Sequence, residues 1–348
     1  MSILRVAMAD DSSFIRRAVA HLLDDETDLE LVGSAARGEE LLANLELWSP
    51  DAIVLDLSLP GMSGLEVLDA IMQRRPTPVI ILSTHSRKGA PLTLEALNRG
   101  AVDFIDKQEH SLLNFDRLRQ ALLTRLRDLR DSGLHLSGPA VPLQDPAPAT
   151  SGLLAVEAIV LGASTGGPPA IERTLRGLGA GVDVPVLVAQ HMPPGFTGAF
   201  AERLDQALPL TVREADDGMP LEAGTVLLTP GGMHLRIVRD DRGGLRTRLS
   251  KESGQSSVNA LFRSAAEHLG ASCVAVVLTG MGNDGAEGML ELARAGGLTI
   301  AQDEATSIVF GMPRAAIEVG AVREVLPLPA IAPRLCEILS TRRKPADI

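Results

Sequence analysis

The residue best suited to chemistry in this chain is a serine in a glycine-rich turn. Ser164 lies in the segment Gly-Ala-Ser-Thr-Gly-Gly, residues 162–167, directly after the apolar run 156–161. A serine in such a turn between a strand and a helix is exposed at the carboxyl end of the strand, where a nucleophile can meet its substrate. Pro168 and Pro169 suit the first turn of a following helix, whose free N–H groups can face a developing oxyanion. By itself, the turn fits a phosphate-binding loop or a plain strand-to-helix connection equally well.

A histidine follows the next predicted strand. Residues 185–190 read as a buried strand that ends at His191. Because neighbouring parallel strands end at the same edge of a sheet, Ser164 and His191 can face one crevice. We therefore prefer His191 as the general base over His234, which begins a predicted hairpin strand over residues 234–238. The remaining histidines have no comparable setting; they are His21, His85, His110, His135 and His268.

An aspartate follows a third apolar strand. Residues 273–278 run into the segment Thr-Gly-Met-Gly-Asn-Asp-Gly, which places Asp284 at another strand end. A carboxylate there can accept the imidazole N–H, fix the tautomer and stabilise the imidazolium, as the orienting acid of a catalytic triad does. Asp284 is also a suitable cap for a helix that begins near Gly285. The alternative orienting acids are Asp216, Asp217 and Asp303. The order serine, histidine, aspartate differs from that of α/β-hydrolases, so that fold is not supported.

Four blocks of this part of the chain resemble the signature of a known family, the catalytic domain of chemotaxis protein-glutamate methylesterases (CheB). The blocks are residues 162–168, 190–193, 279–285, and 301–304 together with 310–313. The resemblance implies that Ser164, His191 and Asp284 form the triad. It also implies that the backbone N–H groups of Thr165 and Met281 are oxyanion donors.

The same resemblance implies the substrate. Members of the family hydrolyse glutamate γ-methyl esters on methyl-accepting chemoreceptors to glutamate and methanol, and the same site deamidates receptor glutamines. One segment departs from the family pattern: residues 253–259 read Ser-Gly-Gln-Ser-Ser-Val-Asn, where the family more often has an Arg-Pro-Ser-Val-Asp type of run. No cofactor is expected in this domain.

The first third of the chain carries a different set of reactive groups. Apolar segments that read as parallel strands are followed by Asp10 and Asp11, by Asp56, by Ser83 and by Lys107. Three carboxylates at one sheet edge repel one another unless a divalent cation lies among them, and hard oxygen ligands suit Mg²⁺. We predict that Asp56 accepts a phosphoryl group, that Asp11 and Asp56 hold Mg²⁺ with Asp10 in support, and that Ser83 and Lys107 contact the phosphoryl oxygens. Ordinary turn or cap aspartates would explain any one acid but not the whole set.

These residues resemble the receiver domain of two-component response regulators. The matching segments are residues 10–12, 55–64, 82–84 and 103–107. The resemblance implies a histidine kinase as phosphodonor, a further Mg²⁺ contact from the carbonyl of Ser58, and a switch through Ser83 and Phe104. The resemblance to the methylesterase family implies that phosphorylation of Asp56 raises esterase activity. Gln108 replaces the proline that usually follows the lysine, so no cis peptide is expected there.

The layout predicts an α/β protein made of two doubly wound parallel-sheet domains. We expect a flavodoxin-like receiver over residues 1–125 and a Rossmann-like methylesterase domain over residues 153–345. Residues 126–152 would contain the end of a helix and a flexible linker rich in proline and glycine. The helix has one apolar face, formed by Phe115, Leu118, Leu122, Leu126 and Leu129.

Composition excludes several classes of function. The formal net charge is −11, from 33 basic and 44 acidic residues, without a basic tract, so a nucleic-acid surface is not expected. There is no apolar stretch of about 18 residues and no signal-peptide pattern, and we expect no membrane insertion. Cys273 and Cys336 lack the spacing of a metal site or a disulfide framework, which favours a reduced, cytoplasmic protein.

Two other functions compete with the esterase. The second domain could be a binding module that has lost turnover, to which the departure at residues 255–259 gives room, although the intact triad residues speak against it. It could also be a dinucleotide-dependent enzyme that uses residues 162–167 as a phosphate turn. Such an enzyme needs an acid after the next strand to hold a ribose, and His191 stands there instead.

Overall fold

The computed structural model describes residues 3–83, 89–107, 115–131, 156–251 and 257–341. The chain divides between residues 139 and 140 into two compact units. The predicted linker from residue 132 onward lies outside the described residues. Among the helices that are described, none combines the length and apolar character needed to cross a bilayer.

The first unit is a five-stranded parallel sheet with the strand order β2-β1-β3-β4-β5. Its strands are β1 (Leu4–Ala9), β2 (Leu29–Ala35), β3 (Ala52–Asp56), β4 (Val79–Ser83) and β5 (Asp103–Asp106). Its helices are α1 (Ser13–Asp24), α2 (Gly38–Trp48), α3 (Gly64–Arg74), α4 (Gly89–Asn98) and α5 (Phe115–Asp131). Every residue of the central strands β3 and β4 is buried, as expected for continuous apolar strands covered by helices on both faces. The predicted flavodoxin-like order is confirmed.

Side-chain caps mark the N-termini of the helices that follow β1 and β3. Ser12 caps α1, with its side chain accepting from the N–H of Ile15. Ser63 and Glu66 form a capping box at the start of α3. Strand β2, which the sequence patterns did not single out, is an edge strand with an irregular burial pattern, so its apolar signal is weak.

The second unit is a seven-stranded parallel sheet with the order β14-β13-β12-β6-β7-β9-β8, accompanied by the antiparallel hairpin β10-β11. Its strands are β6 (Ala158–Ala163), β7 (Val186–Gln190), β8 (Thr211–Glu214), β9 (Thr225–Leu228), β10 (His234–Arg239), β11 (Leu245–Ser250), β12 (Cys273–Val277), β13 (Leu298–Gln302) and β14 (Glu324–Leu326). Its helices are α6 (Gly167–Leu178), α7 (Phe196–Ala207), α8 (Val258–His268), α9 (Ala286–Arg294), α10 (Met312–Glu318) and α11 (Leu328–Thr341).

The order of strands reverses between β6 and β12. The chain continues from β6 to β7 on one side of the sheet, and the later strands β12, β13 and β14 extend it on the other side. In doubly wound sheets the crevice at such a switch point, outside the carboxyl ends of the strands, is where ligands bind. Ser164 and the turn after β12 therefore lie where a site is expected. The hairpin predicted from residue 234 is confirmed.

Candidate active site

The serine turn is held by backbone contacts on both sides. Ser164 follows β6, all six residues of which are buried, and its N–H donates to the carbonyl oxygen of Thr279 at 3.1 Å. Gly166 then caps α6 with φ +75°, a left-handed conformation that favours glycine. One expectation is corrected here: the first turn of α6 offers no free N–H to an oxyanion. Gly167 N–H already donates to the Ser164 carbonyl at 2.8 Å, and the two prolines that follow have no N–H.

The structure brings His191 next to Ser164. Ala163 and Gln190 are register partners in β6 and β7, so the residue after each strand stands at the same edge. His191 Nδ1 lies 3.2 Å from Ser164 Oγ, and His191 Nε2 lies 2.8 Å from Asp284 Oδ2. A carboxylate only accepts hydrogen bonds, so we assign the proton to Nε2, which leaves Nδ1 able to accept from the serine hydroxyl.

The carboxylate of Asp284 is surrounded by donors from the start of α8. Its Oδ2 accepts from the Val258 N–H at 2.7 Å, and its Oδ1 accepts from the Asn259 N–H at 3.0 Å and from Ser257 Oγ at 3.1 Å. Burial alone would raise the pKa of Asp284, but the hydrogen bonds from His191 and these backbone groups outweigh it and hold the pKa below its usual value. The group therefore stays ionised beside the imidazole.

Asp284 thus supports a helix, but not the one that its sequence neighbourhood suggested. Gly285 caps α9 without any side-chain bond, whereas Asp284 meets the N-terminus of α8. The partners Ser257, Val258 and Asn259 are functional positions that sequence reasoning missed. Ser257, which caps α8, was the signal that could have revealed a helix start there. The departing residues 253–256 lie outside the described residues.

The competing residues serve local structure. His234 is buried at the head of β10 and pairs with Ser250 across the hairpin. The Asp303 carboxylate accepts from the N–H and hydroxyl of Thr306, within its own turn. Asp217 accepts the N–H of Leu249, and Asp216 contributes its carbonyl to Thr247. His21 and His268 belong to the ends of α1 and α8, and His85, His110 and His135 lie outside the described residues.

The turn after β12 packs directly against the serine. A Cβ on Gly280 would lie 2.9 Å from both the Cβ and the N of Ser164, so only glycine fits. The hydroxyl of Thr279 donates to the Thr165 carbonyl at 2.9 Å. Within the part of the chain that the structure describes, the N–H of Met281 has no acceptor. The positions named for the oxyanion donors, Thr165 and Met281, therefore flank Ser164.

The first unit gathers its acids at one sheet edge. Carboxylate oxygens of Asp10, Asp11 and Asp56 all lie within 4.8 Å of one another, and this set of hard oxygen donors fits Mg²⁺. Lys107 Nζ lies 2.7 Å from both Asp10 Oδ2 and Asp56 Oδ2. Burial raises the pKa of Asp10 and is only partly opposed by Lys107. Burial would lower the pKa of Lys107, but Asp56 and Asp10 outweigh it and raise that pKa, so the lysine is charged.

The remaining residues of this cluster follow the same strand ends. The N–H of Ser58 donates to Asp56 Oδ1 at 3.0 Å, which places residue 58 beside the acids. Ser83 is buried at the end of β4 and accepts a 2.6 Å hydrogen bond from Thr93 of α4, a partner that the sequence did not indicate. Phe104 is buried in β5. Gln108 lies outside the described residues.

Comparison with known proteins gives matches over both units. Residues 159–335 match the family described as CheB methylesterase, and residues 6–122 match the response regulator receiver domain. A protein-glutamate methylesterase/protein-glutamine glutaminase of Symbiobacterium thermophilum is 39% identical over 344 residues, which cover 94% of this chain and 95% of that protein. A protein of the same description from Anaeromyxobacter dehalogenans is 42% identical over 98% of this chain and 97% of its own length. The crystal structure of the Thermotoga maritima CheB methylesterase catalytic domain is 38% identical, with a TM-score of 0.51, and covers 53% of this chain and 100% of that one.

Proposed function

Since this chain belongs to the CheB methylesterase family and carries a response regulator receiver domain, we propose that Ser164, His191 and Asp284 perform its ester hydrolysis. The chain is a protein-glutamate methylesterase and protein-glutamine glutaminase that acts in chemotactic adaptation. Its substrates are the γ-methyl esters of glutamates on methyl-accepting chemoreceptors. The observation that carries the residue assignment is the pair of hydrogen bonds through which His191 joins Ser164 to Asp284.

The geometry supports acyl transfer in two steps. Ser164 Oγ attacks the γ-carbonyl carbon of the ester while His191 Nδ1 takes the hydroxyl proton. The carbonyl oxygen becomes an oxyanion, which the N–H groups of Thr165 and Met281 stabilise. The tetrahedral intermediate collapses as His191 returns the proton to the departing methoxide, so methanol leaves. With a glutamine substrate the same proton assists the loss of ammonia.

Water completes the cycle. His191 takes a proton from a water molecule, which attacks the acyl carbon, and the second intermediate collapses to release glutamate and to restore the hydroxyl of Ser164. Asp284 accepts the Nε2–H throughout and stabilises the imidazolium that forms twice in each cycle. Its low pKa suits that task, because the acid remains an anion when His191 is charged.

The first unit regulates this reaction through phosphorylation. Asp56 accepts a phosphoryl group from a histidine kinase. Asp10, Asp11 and Asp56 would hold Mg²⁺, together with the carbonyl of Ser58 that the receiver resemblance implies. When bound there, the ion would neutralise charge on the phosphoryl group and the carboxylates. Lys107 is already paired with two of the acids and can balance the phosphoryl oxygens. Ser83 and Phe104 are the switch residues.

Each unit has its own task in this proposal, and phosphorylation of one affects the activity of the other. Residues 1–125 act as the receiver, residues 153–345 as the methylesterase, and residues 126–152 as the connection between them. Phosphorylation of Asp56 raises esterase activity by shifting an equilibrium between a restrained and an active state. If the two states differ in free energy by only a few kcal/mol, the new phosphoryl dianion on the receiver is enough to shift the equilibrium between them.

The decisive experiment measures methanol released from methylated chemoreceptors. The wild-type chain should release methanol, whereas Ser164→Ala should release none, and a fluorophosphonate probe should label only the wild-type serine. Testing several receptors and histidine kinases identifies the partners of the enzyme. If Ser164→Ala hydrolyses the esters as fast as the wild type, the assignment of the nucleophile is wrong.

A further inference from the structure

A buried amide side chain joins the nucleophile to the base. Gln190, the last residue of β7, is 3% exposed, and its Nε2 donates to the carbonyl oxygens of Ser164 at 2.9 Å and of His191 at 3.0 Å. These contacts identify which end of the amide faces the turn, because an amide oxygen in that place would face two carbonyl oxygens. One side chain therefore holds the backbones of both reacting residues.

The carbonyl of Ser164 sets the direction of an N–H group that the mechanism uses. In a trans peptide the N–H of one residue points away from the C=O of the residue before it, because both lie in one rigid plane. The peptide between Ser164 and Thr165 is trans. Its carbonyl oxygen accepts from Gln190 Nε2 and from the Gly167 N–H. Two donors on this carbonyl consequently fix the direction of the Thr165 N–H.

The second oxyanion donor is held in the same way. The N–H of Met281 shares a peptide with the carbonyl of Gly280, which accepts from the N–H groups of Gly311 at 3.0 Å and Met312 at 2.8 Å. Each proposed oxyanion donor thus belongs to a peptide whose carbonyl is held by two hydrogen bonds. Three of the four donors are backbone groups, so Gln190 is the one that a side-chain substitution can remove.

The placement of Gln190 has a cost, because one end of its amide is buried without a partner in the described part of the chain. Its Oε1 is buried and has no hydrogen-bond partner among the described residues. A Cβ on Gly167 would come within 1.9 Å of that oxygen, so glycine makes room for the amide. An apolar side chain of the same size would bring no unpaired oxygen of its own, but it would take away the hydrogen bonds that Nε2 donates to the carbonyls of Ser164 and His191. The value of the amide therefore lies in what its Nε2 holds.

We propose that Gln190 is a positioning residue that aims the Thr165 N–H at the oxyanion and keeps Ser164 in register with His191. This inference rests on the proposed esterase function and extends it to the support of the oxyanion site. Gln190 touches no reacting atom, so its effect should appear in the transition state and not in substrate binding.

The test compares Gln190→Met with the wild type in the full-length chain, supplied with a small phosphodonor and Mg²⁺. Methionine keeps the size of the side chain and removes both donated hydrogen bonds. We expect kcat to fall about 10- to 100-fold, part of the 10²- to 10³-fold loss that follows removal of an oxyanion donor. KM should stay unchanged. The inhibition constant of phenylboronic acid, whose boron forms a tetrahedral adduct with Ser164 Oγ, should rise by the same factor.

Thr299→Val is the matched control for loss of buried hydrogen bonds. Thr299 is buried near the amino end of β13, away from the carboxyl edge where Ser164 and His191 lie. Its hydroxyl donates to the Ala321 carbonyl at 2.7 Å and accepts from the Arg323 N–H at 3.1 Å. This variant should lose stability without a change in kcat or in boronate inhibition. If Thr299→Val loses as much kcat as Gln190→Met, the effect comes from lower stability of the fold and the proposal is wrong. A wild-type kcat in Gln190→Met would also overturn it.

A second variant carries the test if Gln190→Met does not fold. In Gln190→Glu the carboxyl group faces two carbonyl oxygens, so its pKa is raised and it can donate one hydrogen bond while protonated. Its activity relative to the wild type should fall as pH rises, and a constant ratio would overturn the proposal. A wild-type chain that cleaves p-nitrophenyl acetate but not methylated receptor would refute the proposed substrate. The Gln190 comparison would then be decided on the small ester.

Discussion

At the scale of single residues, Asp284 performs two tasks with one carboxylate. It accepts the imidazole N–H of His191, and it accepts two backbone N–H groups at the start of α8. The partial positive charge of a helix N-terminus favours an anion, so the helix helps to keep the acid ionised beside His191, the proposed base. The orientation of the base therefore depends on α8 as well as on the strand ends.

Asp284→Asn should reduce kcat about 10³- to 10⁴-fold, since the corresponding change in a serine protease triad costs about 10⁴-fold by favouring the wrong tautomer. Both carboxylate oxygens of Asp284 accept hydrogen bonds, whereas an amide has one accepting oxygen and an NH₂ group that only donates. Asparagine therefore cannot accept from His191 and from all of the N–H groups of α8. Methanol release under saturating substrate measures the effect. Asp217→Asn, which changes an exposed acid bonded to Leu249, is the control and should keep full activity. A kcat for Asp284→Asn within threefold of the wild type would refute the orienting role.

The low pKa of Asp284 also sets the sign of its pH dependence. An acid whose folded-state pKa is depressed contributes stability above its ordinary pKa, near 3.8, and loses that contribution as pH falls through the folded value. The difference in unfolding free energy between wild type and Asp284→Asn should thus be constant from pH 5 to pH 8 and shrink only in stronger acid. Urea unfolding at a series of pH values measures it, and a difference that shrinks already near pH 6 would contradict the shift.

At the scale of elements, the site depends on the close approach of two turns. The turn after β12 lies so near the turn after β6 that a Cβ on Gly280 would come within 2.3 Å of Met312 Sδ and 2.9 Å of Ser164 N. Gly280→Ala should therefore push the turns apart and lower kcat about 100-fold, the loss that a displacement of about 1 Å can produce.

The matched control for Gly280→Ala is Gly181→Ala. A Cβ on Gly181, in the short 3-10 turn Gly179–Gly181, has no atom within 4 Å, so this alanine should leave methanol release unchanged. Both variants should be measured with the same methylated receptor. Equal activities for the two would show that the turns tolerate a methyl group and that their spacing does not limit the reaction.

Helix α5 contains an acid whose environment opposes its charge. Burial raises the pKa of Asp128 to about 6, Asp131 adds to the shift, Arg125 opposes it and Asp103 adds to it again. Because the pKa of this group is higher in the folded state, its contribution to the free energy of unfolding is greatest below pH 3.8. That contribution is lost as pH rises through about 6. A pKa that rises from 3.8 to about 6 corresponds to about 3 kcal/mol, and solvent screening of the half-buried carboxylate reduces this to about 1 kcal/mol.

Asp128→Asn should therefore make the receiver more stable than the wild type by about 1 kcal/mol at pH 7.5 and by much less at pH 4. Trp48, the only tryptophan of the chain, ends α2, so its fluorescence follows unfolding of the first unit. Asp116→Asn, on the exposed face of α5, is the control and should show no such pH-dependent gain. A destabilising effect of Asp128→Asn at pH 7.5 would contradict the proposed penalty.

At the scale of the whole molecule, we expect phosphorylation of the first unit to change the activity of the second. Incubation with a small phosphodonor and Mg²⁺ should raise methanol release about tenfold or more, since a bias of 1.4 kcal/mol already changes an equilibrium tenfold. Asp56→Asn should abolish the increase and leave basal activity intact. If wild-type activity does not change although Asp56 is demonstrably phosphorylated, the regulation by the receiver is wrong.

Removal of residues 1 to about 150 should give a constitutively active esterase. The catalytic domain of the Thermotoga maritima relative forms a solved chain of its own, and a deletion in the predicted linker avoids both sheets. Methanol release by this fragment should match that of the phosphorylated full-length chain and should not respond to phosphodonor. A folded fragment with only basal activity would mean that the receiver activates instead of restraining.

The apolar strands that carry the reactive residues could be read from the amino-acid sequence alone, whereas the edge strand β2 could not. Continuous apolar runs predict buried parallel strands, and the residue after each run must lie at the carboxyl edge because all strands of such a sheet point the same way. That local rule was sufficient to nominate Ser164, His191 and Asp284, and likewise Asp10, Asp11, Asp56 and Lys107.

The contacts that hold those residues in place became visible only in the folded protein. Asp284 meets the start of α8 across 26 residues of sequence, Gln190 reaches the Ser164 carbonyl across 26, and Thr279 supports Thr165 across 114. Such partners are selected by how helices and turns pack against the sheet, and no sequence spacing encodes that packing. Packing also removed expected contacts: at the first turn of α6 the Gly167 N–H is bonded to the Ser164 carbonyl, and the two prolines that follow have no N–H to offer an oxyanion.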